Sequence, residues 1–441
     1  MSNLLIIKKK IKRFKKSIRV SGDKSISIRW VLFSSLADGT STAKNLLLSE
    51  DVLAALNAIK QLGINYKIKK NECKIYGKGF DGYNYKKNLT INAENSGTLG
   101  RLILGLLINC KHPIKLIGDK SLSKRDFKRV SDPLSKFGAK FKLKKKKNLP
   151  LIISGSERLR PITYIEQKGS AQCKSSVIFG GMRTNGSTLI KAKKSRNHTE
   201  LLSKYLNLPI QIKHQKEYDI IKINKVHKVR TLNYNIPTDI SSSAFFMVLT
   251  ALISNSELLI KNVNINDSRI GIIHILKKMG VKIFFKKTKI YKGEKIADIF
   301  IKSPKILKSI NCPKKLNSGA IDKFLVIFLV AAKAKGVSYF KGLDELNQKE
   351  SPRLKWASKI LNKMGVKNIT TNNSIKIYGN PNLTIGQKII IKNYLKDHRV
   401  FMTSIIAALT FGGEWKISDK DSINTSFPSF MSKIKELGVK I

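Results

Sequence analysis

Six stretches of this chain repeat one alternation of apolar and polar positions. In each, apolar residues at helical spacing end on a small residue, and short runs of alternating apolar and polar residues follow. The stretches read "QLGINYKIKKNECKIYG", "KFGAKFKLKKKKNLPLIISG", "KYLNLPIQIKHQKEYDIIKI", "KMGVKIFFKKTKIYKGEKIADIFI", "KMGVKNITTNNSIKIYG" and a shortened "ELGVKI". The small residues are Gly63, Gly138, Asn207, Gly280, Gly365 and Gly438, about 70–85 residues apart. Glycine or asparagine there predicts a helix that ends in the left-handed conformation. The alternating runs predict pairs of half-buried strands.

Six α/β units in 441 residues exceed one core and predict two domains of three units each. The last unit is cut short after its helix, which leaves the strands of "NLLIIKKKIK" to complete it. The C-terminal domain is then discontinuous, residues 1–20 plus 238–441, with residues 21–237 forming the N-terminal domain. Two crossings side by side make a hinge, and a cleft between domains is the expected place for a ligand.

Composition changes this picture in one respect. The net charge of +56 invites a nucleic-acid reading. Of 85 basic residues, however, 14 are arginine and 71 lysine, and the lysines run along the whole chain. Nucleic-acid binders cluster arginine with aromatic residues. Lysine, isoleucine and asparagine share A/T-rich codons, so compositional drift accounts for the excess. The scarce arginines are more informative, because a guanidinium forks a carboxylate or phosphate as lysine does not. The four cysteines have no zinc or redox spacing and the six histidines form no metal-binding pattern, so no metal site is expected. The apolar runs "AFFMVLTALI" and "FLVIFLVAA" are too short to span a bilayer. A soluble, cytoplasmic protein is expected.

Between the repeats lie polar segments that open apolar helices. "SGDKSISIRW" holds Lys24, Ser25 and Arg29; "NSGTLGR" holds Asn95, Gly97 and Arg101; "GDKSLSKRDFKRV" holds Arg125 and Arg129. "GSAQCKSS" offers Ser170, Gln172 and Lys174, and "SRNHTE" offers Ser195 and Arg196. "PTDISSSAFF" and "IDKFLVIFLVAA" set Asp239 and Asp322 before apolar helices, "KESPRL" packs Lys349, Glu350 and Arg353, and "KDHRVFM" brings Asp397, His398 and Arg399. A helix start binds anions through its free N–H groups. Asp239 and Asp322 are equally well read as helix caps.

Taken in this order, the segments resemble the 5-enolpyruvylshikimate-3-phosphate synthase family, from about Lys24 to Phe430 and including the closing "TSFP". The resemblance implies an inside-out α/β barrel of two lobes, each of three βαβαββ units, joined by a double crossover. It implies transfer of the enolpyruvyl group of phosphoenolpyruvate to the 5-hydroxyl of shikimate 3-phosphate, in aromatic amino acid biosynthesis, by addition and elimination of phosphate. By that resemblance the substrates are these two small molecules, no cofactor is needed, and the protein is a monomeric glyphosate target with no nucleic-acid or membrane partner. Lys24 lies between the substrates, and Ser25 and Arg29 take the shikimate carboxylate. Ser170, Ser195 and Arg196 take its phosphate, and Gln172 lies beside the ring. Gly97 and Arg125, with Asn95 nearby, take the phosphoenolpyruvate phosphate. Arg353 and Arg399 fork its carboxylate, with Lys349 beside them. Asp322 bonds the attacking hydroxyl and Glu350 faces the methylene carbon. The N-terminal lobe is thus the shikimate 3-phosphate side and the C-terminal lobe the phosphoenolpyruvate carboxylate side.

The chain departs from the family pattern at Thr425, where many members carry lysine, at Pro352, where aspartate is usual, and at Asn347-Gln348, where Arg-Val is common. Asp126 stands where proline usually follows the arginine. The competing readings are the sister transferase acting on UDP-N-acetylglucosamine, and an RNA-binding or RNA 3′-phosphate cyclase-like protein built from similar units. The first generally carries a cysteine in the loop that reads "GDKSLSKRDF" here, and the second leaves "KESPRL" and "DHR" without a role.

Overall fold

A computed structural model describes residues 3–439. All six small residues that end the repeats are left-handed, with φ between 58° and 121°. Each is followed by the strand pair that the alternation predicts, except Gly438, after which the described chain runs out.

The chain divides into two compact units, each with its own core. One runs from Gly22 to Ile236 and includes the turn Tyr291–Glu294, which the sequence reading did not foresee. Its three sheets each have four strands. In the second, Thr90–Asn92 runs parallel to Ile114–Ile117, which pairs antiparallel with Asn148–Ser154, itself paired with Lys140–Lys144. That is one complete βαβαββ unit, and Thr163–Ile223 repeats it. The first sheet takes its opening strand from the far end of the unit, as Tyr234–Asn235 runs parallel to Asp38–Lys44. Three helices, Lys24–Ser35, Gly97–Leu106 and Ala171–Gly181, are buried nearly all round and form the centre.

The other unit gathers the chain up to Ser21, Pro237–Ile290 and the chain from Lys295. Its central helices are Ile240–Leu252, Phe324–Lys333 and His398–Phe411. Two early strands complete its sheets. Lys15–Ile18 runs parallel to Glu257–Asn264, and Leu5–Ile7 runs antiparallel to Glu414–Ile417. The six sheets are not equal, however. Among the described residues, two sheets of this unit have three strands. In the middle one the opening strand shrinks to bridges at Lys308 and Asn311, in a segment bracketed by Pro304 and Pro313. Proline has no N–H to give a ladder.

Candidate active site

Across both units, six of the polar segments fall at the N-terminal ends of the central helices, and the segments around Arg125, Arg196 and Arg353 lead into other helices. In the Gly22–Ile236 unit, Asp23 caps helix Lys24–Ser35 by accepting from the Ile26 N–H at 3.0 Å. Lys24 opens the helix, and its Nζ lies 2.7 Å from Asp51 Oδ2. Arg29, one turn further, is 2% exposed. Its hydrogen bonds go to neutral oxygens: Thr199 Oγ1 at 2.7 Å, Ser175 Oγ at 3.0 Å and the Ser25 carbonyl at 3.0 Å. Burial pushes its guanidinium down to about 10, with Glu200 opposing and Arg196 adding to the fall. A buried cation with only hydroxyl and carbonyl partners is set to receive an anion.

A second cationic group surrounds the start of helix Gly97–Leu106. Arg101 donates to Gln172 Oε1 at 2.7 Å, and Gln172 donates onward to Thr98 Oγ1 at 3.0 Å. Burial lowers Arg101 to about 10, and Arg125 and Arg129 add to that effect. Arg125 donates to Asn95 Oδ1 at 3.4 Å, and Asn95 is held by Asp119 at 2.6 Å. A Cβ on Gly97 would sit 2.9 Å from Arg101 Nη1 and 3.0 Å from Arg125 Nη1, so the lack of a side chain keeps both guanidinium groups close to the helix start. Ser170 caps its own helix by accepting from the Cys173 N–H at 3.3 Å. The buried Ser195 hydroxyl has no hydrogen-bond partner among the described residues.

The other unit collects carboxylates around arginine. Arg353, 2% exposed, donates through Nε to Asp397 Oδ2 at 2.8 Å and through Nη2 to Asp397 Oδ1 at 3.2 Å. It also pairs with Glu350, and its Nη1 lies 3.8 Å from Asp322. Burial works against its charge, but Asp397, Glu350 and Asp322 more than offset it and raise the guanidinium above its ordinary value. Arg399 lies in the first turn of the helix that Asp397 caps, and burial lowers it, with Asp322 opposing and Arg353 adding. Lys349 is lowered by burial as well, with Asp322 opposing and Arg353 adding.

Asp239 caps its helix by accepting from the Ser241 N–H at 2.6 Å. Asp322 lies in a short 3₁₀ turn before its helix and faces Arg353. Pro352 stands at the cap of helix Arg353–Lys363 and supplies no side-chain bond; Asn347 reaches in and accepts from the Leu354 N–H at 3.2 Å. Two of the sequence departures thus meet at one helix start. Thr425 Oγ1 lies 3.3 Å from His398 Nδ1. Sequence reasoning missed Asp51, which lies outside the quoted segments, and did not single out Ser175 and Thr199, which lie inside "GSAQCKSS" and "SRNHTE".

The family model for EPSP synthase (3-phosphoshikimate 1-carboxyvinyltransferase) matches residues 8–434. The chain belongs to the EPSP synthase family. It is 37% identical over 432 residues to a 3-phosphoshikimate 1-carboxyvinyltransferase of Thermodesulfovibrio yellowstonii, covering 97% of this chain and 98% of the relative. A relative of the same name from Ruthia magnifica is 38% identical over 426 residues, 96% and 95% of the two chains. The solved EPSP synthase from Acinetobacter baumannii superposes with a TM-score of 0.86 at 33% identity, covering 98% of each chain. The family's two-domain enolpyruvyl transferase fold is thus this chain's fold. The EPSP synthase motifs fall where the buried arginines, the carboxylates and the capped helix starts converge within each unit.

Proposed function

We propose that the protein transfers the enolpyruvyl group of phosphoenolpyruvate to the 5-hydroxyl of shikimate 3-phosphate and releases phosphate. Family membership supports the reaction over the UDP-N-acetylglucosamine and RNA readings. What carries the assignment of roles is the set of two part-buried carboxylates, Asp322 and Glu350, against the buried arginines Arg353 and Arg399. The reaction adds a proton to the methylene carbon while a hydroxyl loses one, so it needs an acid and a base at one centre. Asp322 takes the hydroxyl proton, Glu350 serves the methylene carbon, and Lys24 is the proton donor. The tetrahedral intermediate then expels phosphate as its new methyl group gives a proton back to Glu350, which restores the enol double bond.

The unit from Gly22 to Ile236 takes shikimate 3-phosphate. Ser25 and Arg29 hold its carboxylate, Ser170, Ser195 and Arg196 its phosphate, and Gln172 its ring. Asn95, Gly97 and Arg125 receive the phosphate of phosphoenolpyruvate. Arg353, Arg399 and Lys349 in the other unit serve the carboxylate end of phosphoenolpyruvate. Fixed, desolvated cations stabilise the anionic intermediate more than mobile ones in water. No helix among the described residues is long and apolar enough to cross a membrane. A monomer in the cytoplasm, with no nucleic-acid partner, completes the reading.

Phosphate release from phosphoenolpyruvate, with and without shikimate 3-phosphate, tests the reaction. Release should require both substrates. Glu350→Gln should lower kcat by roughly 10²–10⁴-fold with little change in binding. Arg399→Lys should instead raise the KM for phosphoenolpyruvate, because the fork is lost. Normal turnover by Glu350→Gln, or a pure binding defect in both variants, would contradict the assignment.

A further inference from the structure

One buried ion pair has no part in that mechanism. Lys174 and Glu200 are 0% and 2% exposed, and Lys174 Nζ lies 2.7 Å from Glu200 Oε1. Each charge sits next in sequence to a hydroxyl that cradles Arg29. Lys174 precedes Ser175 on helix Ala171–Gly181, and Glu200 follows Thr199 on helix His198–Tyr205. Thr199 Oγ1 also donates to Ser175 Oγ at 2.7 Å, so the cradle is closed on itself.

We propose that Lys174 is a positioning residue for shikimate 3-phosphate: by holding Glu200 it keeps that carboxylate from engaging Arg29, and so leaves Arg29 to the substrate carboxylate. The inference rests on the reading of Arg29 given above. A buried arginine attracts any carboxylate within reach, and an internal pair would fill the place the substrate needs. Among the charged groups acting on Arg29, Glu200 acts most strongly. It adjoins Thr199, which Arg29 already touches at 2.7 Å. The cation that occupies Glu200 is Lys174 rather than Arg29. The pair is therefore a guard on the charge of Arg29, and its two members should act on binding in opposite directions.

That opposition separates the proposal from a simple tether between two helices. Lys174→Met leaves Glu200 free to turn to Arg29, and shikimate 3-phosphate should bind at least about tenfold more weakly by calorimetry. Glu200→Gln removes the competitor and should bind as tightly as the parent or tighter. Lys174→Met with Glu200→Gln removes both charges and should bind within about threefold of the parent, the mark of two coupled residues. Should Lys174→Met alone fail to fold, as a variant that leaves a buried carboxylate unpaired can, the other two variants carry the test. Weakening of more than tenfold in the double variant or in Glu200→Gln would overturn the proposal, as would a folded Lys174→Met that binds normally. Absence of shikimate 3-phosphate binding to the parent protein would instead refute the reading of the site.

Discussion

Replacing Asp397 with asparagine removes one buried charge and almost no volume. Asp397 is fully buried and both of its oxygens are in use. Oδ2 accepts from Ser351 Oγ at 2.8 Å and from Arg353 Nε at 2.8 Å. Oδ1 accepts from Arg353 Nη2 at 3.2 Å and from the Arg399 N–H at 2.9 Å. An amide NH₂ in either place would face an arginine or backbone donor. Breaking a buried pair costs about 3–5 kcal/mol, and the lower end applies here because Glu350 still pairs with Arg353. For a unit of this size, about 3 kcal/mol lowers the melting temperature by roughly 6–12 °C. Function should change separately from stability. Arg353 loses the fork that aims it, so the KM for phosphoenolpyruvate should rise about 10–100-fold. Shikimate 3-phosphate binding, assigned to the other unit, should hold. Phosphate release against phosphoenolpyruvate concentration, calorimetry with shikimate 3-phosphate and a thermal melt read the three quantities. If the KM and the melt both stay at parental values, Asp397 does not hold Arg353 and the reasoning is wrong.

Further predictions follow from contacts of the same kind. Gly97→Ala drives a Cβ against Arg101 and Arg125; since both are ends of flexible side chains, folding should survive while the KM for phosphoenolpyruvate rises about tenfold, and an unchanged KM would mean the two guanidinium groups do not serve its phosphate. Lys349, lowered by burial, loses its charge at a lower pH than an ordinary lysine. The alkaline fall of kcat/KM should therefore begin early, and Lys349→Arg should move it upward; a limb that stays put would exclude the Lys349 charge. Asn347→Ala should cost about 1 kcal/mol in a thermal melt, and adding Pro352→Asp should recover it by restoring a cap in place, with no recovery counting against compensation between the two positions.

The repeat was legible in the sequence because its signal is local. A left-handed cap needs glycine or asparagine, and a half-buried strand needs alternation, whatever lies elsewhere in the chain. Asp239 was legible as a cap for the same reason, whereas Asp322, in the same pattern, turns to an arginine 31 positions on that its own segment does not announce. The partners of Arg29 were hidden for that reason too, since Ser175 and Thr199 arrive from helices far along the chain. Pro352 and Asn347 read as two unrelated departures until the Leu354 N–H connected them. The reduced strand of the middle sheet was missed because a strand that shrinks to isolated bridges keeps its place in the repeat while losing its ladder.

The strand Leu5–Ile7 finds its partner only at Glu414–Ile417, and Lys15–Ile18 waits for Glu257–Asn264. On the ribosome this imposes an order. At about 5–20 residues per second, the first of these strands is exposed for roughly 20–80 s before its neighbour is made. Meanwhile the stretch from Gly22 to Ile236 is already in hand and can collapse on its own core. The early strands thus leave the ribosome as open edges, the form in which nascent chains stick to one another. Lys8, Lys9, Lys10, Lys12, Lys15 and Lys16 crowd those strands and the link between them. Charge at an open edge discourages pairing with the wrong chain. Whatever the origin of the lysine excess, charge at this end opposes mispairing of the open strands while they wait.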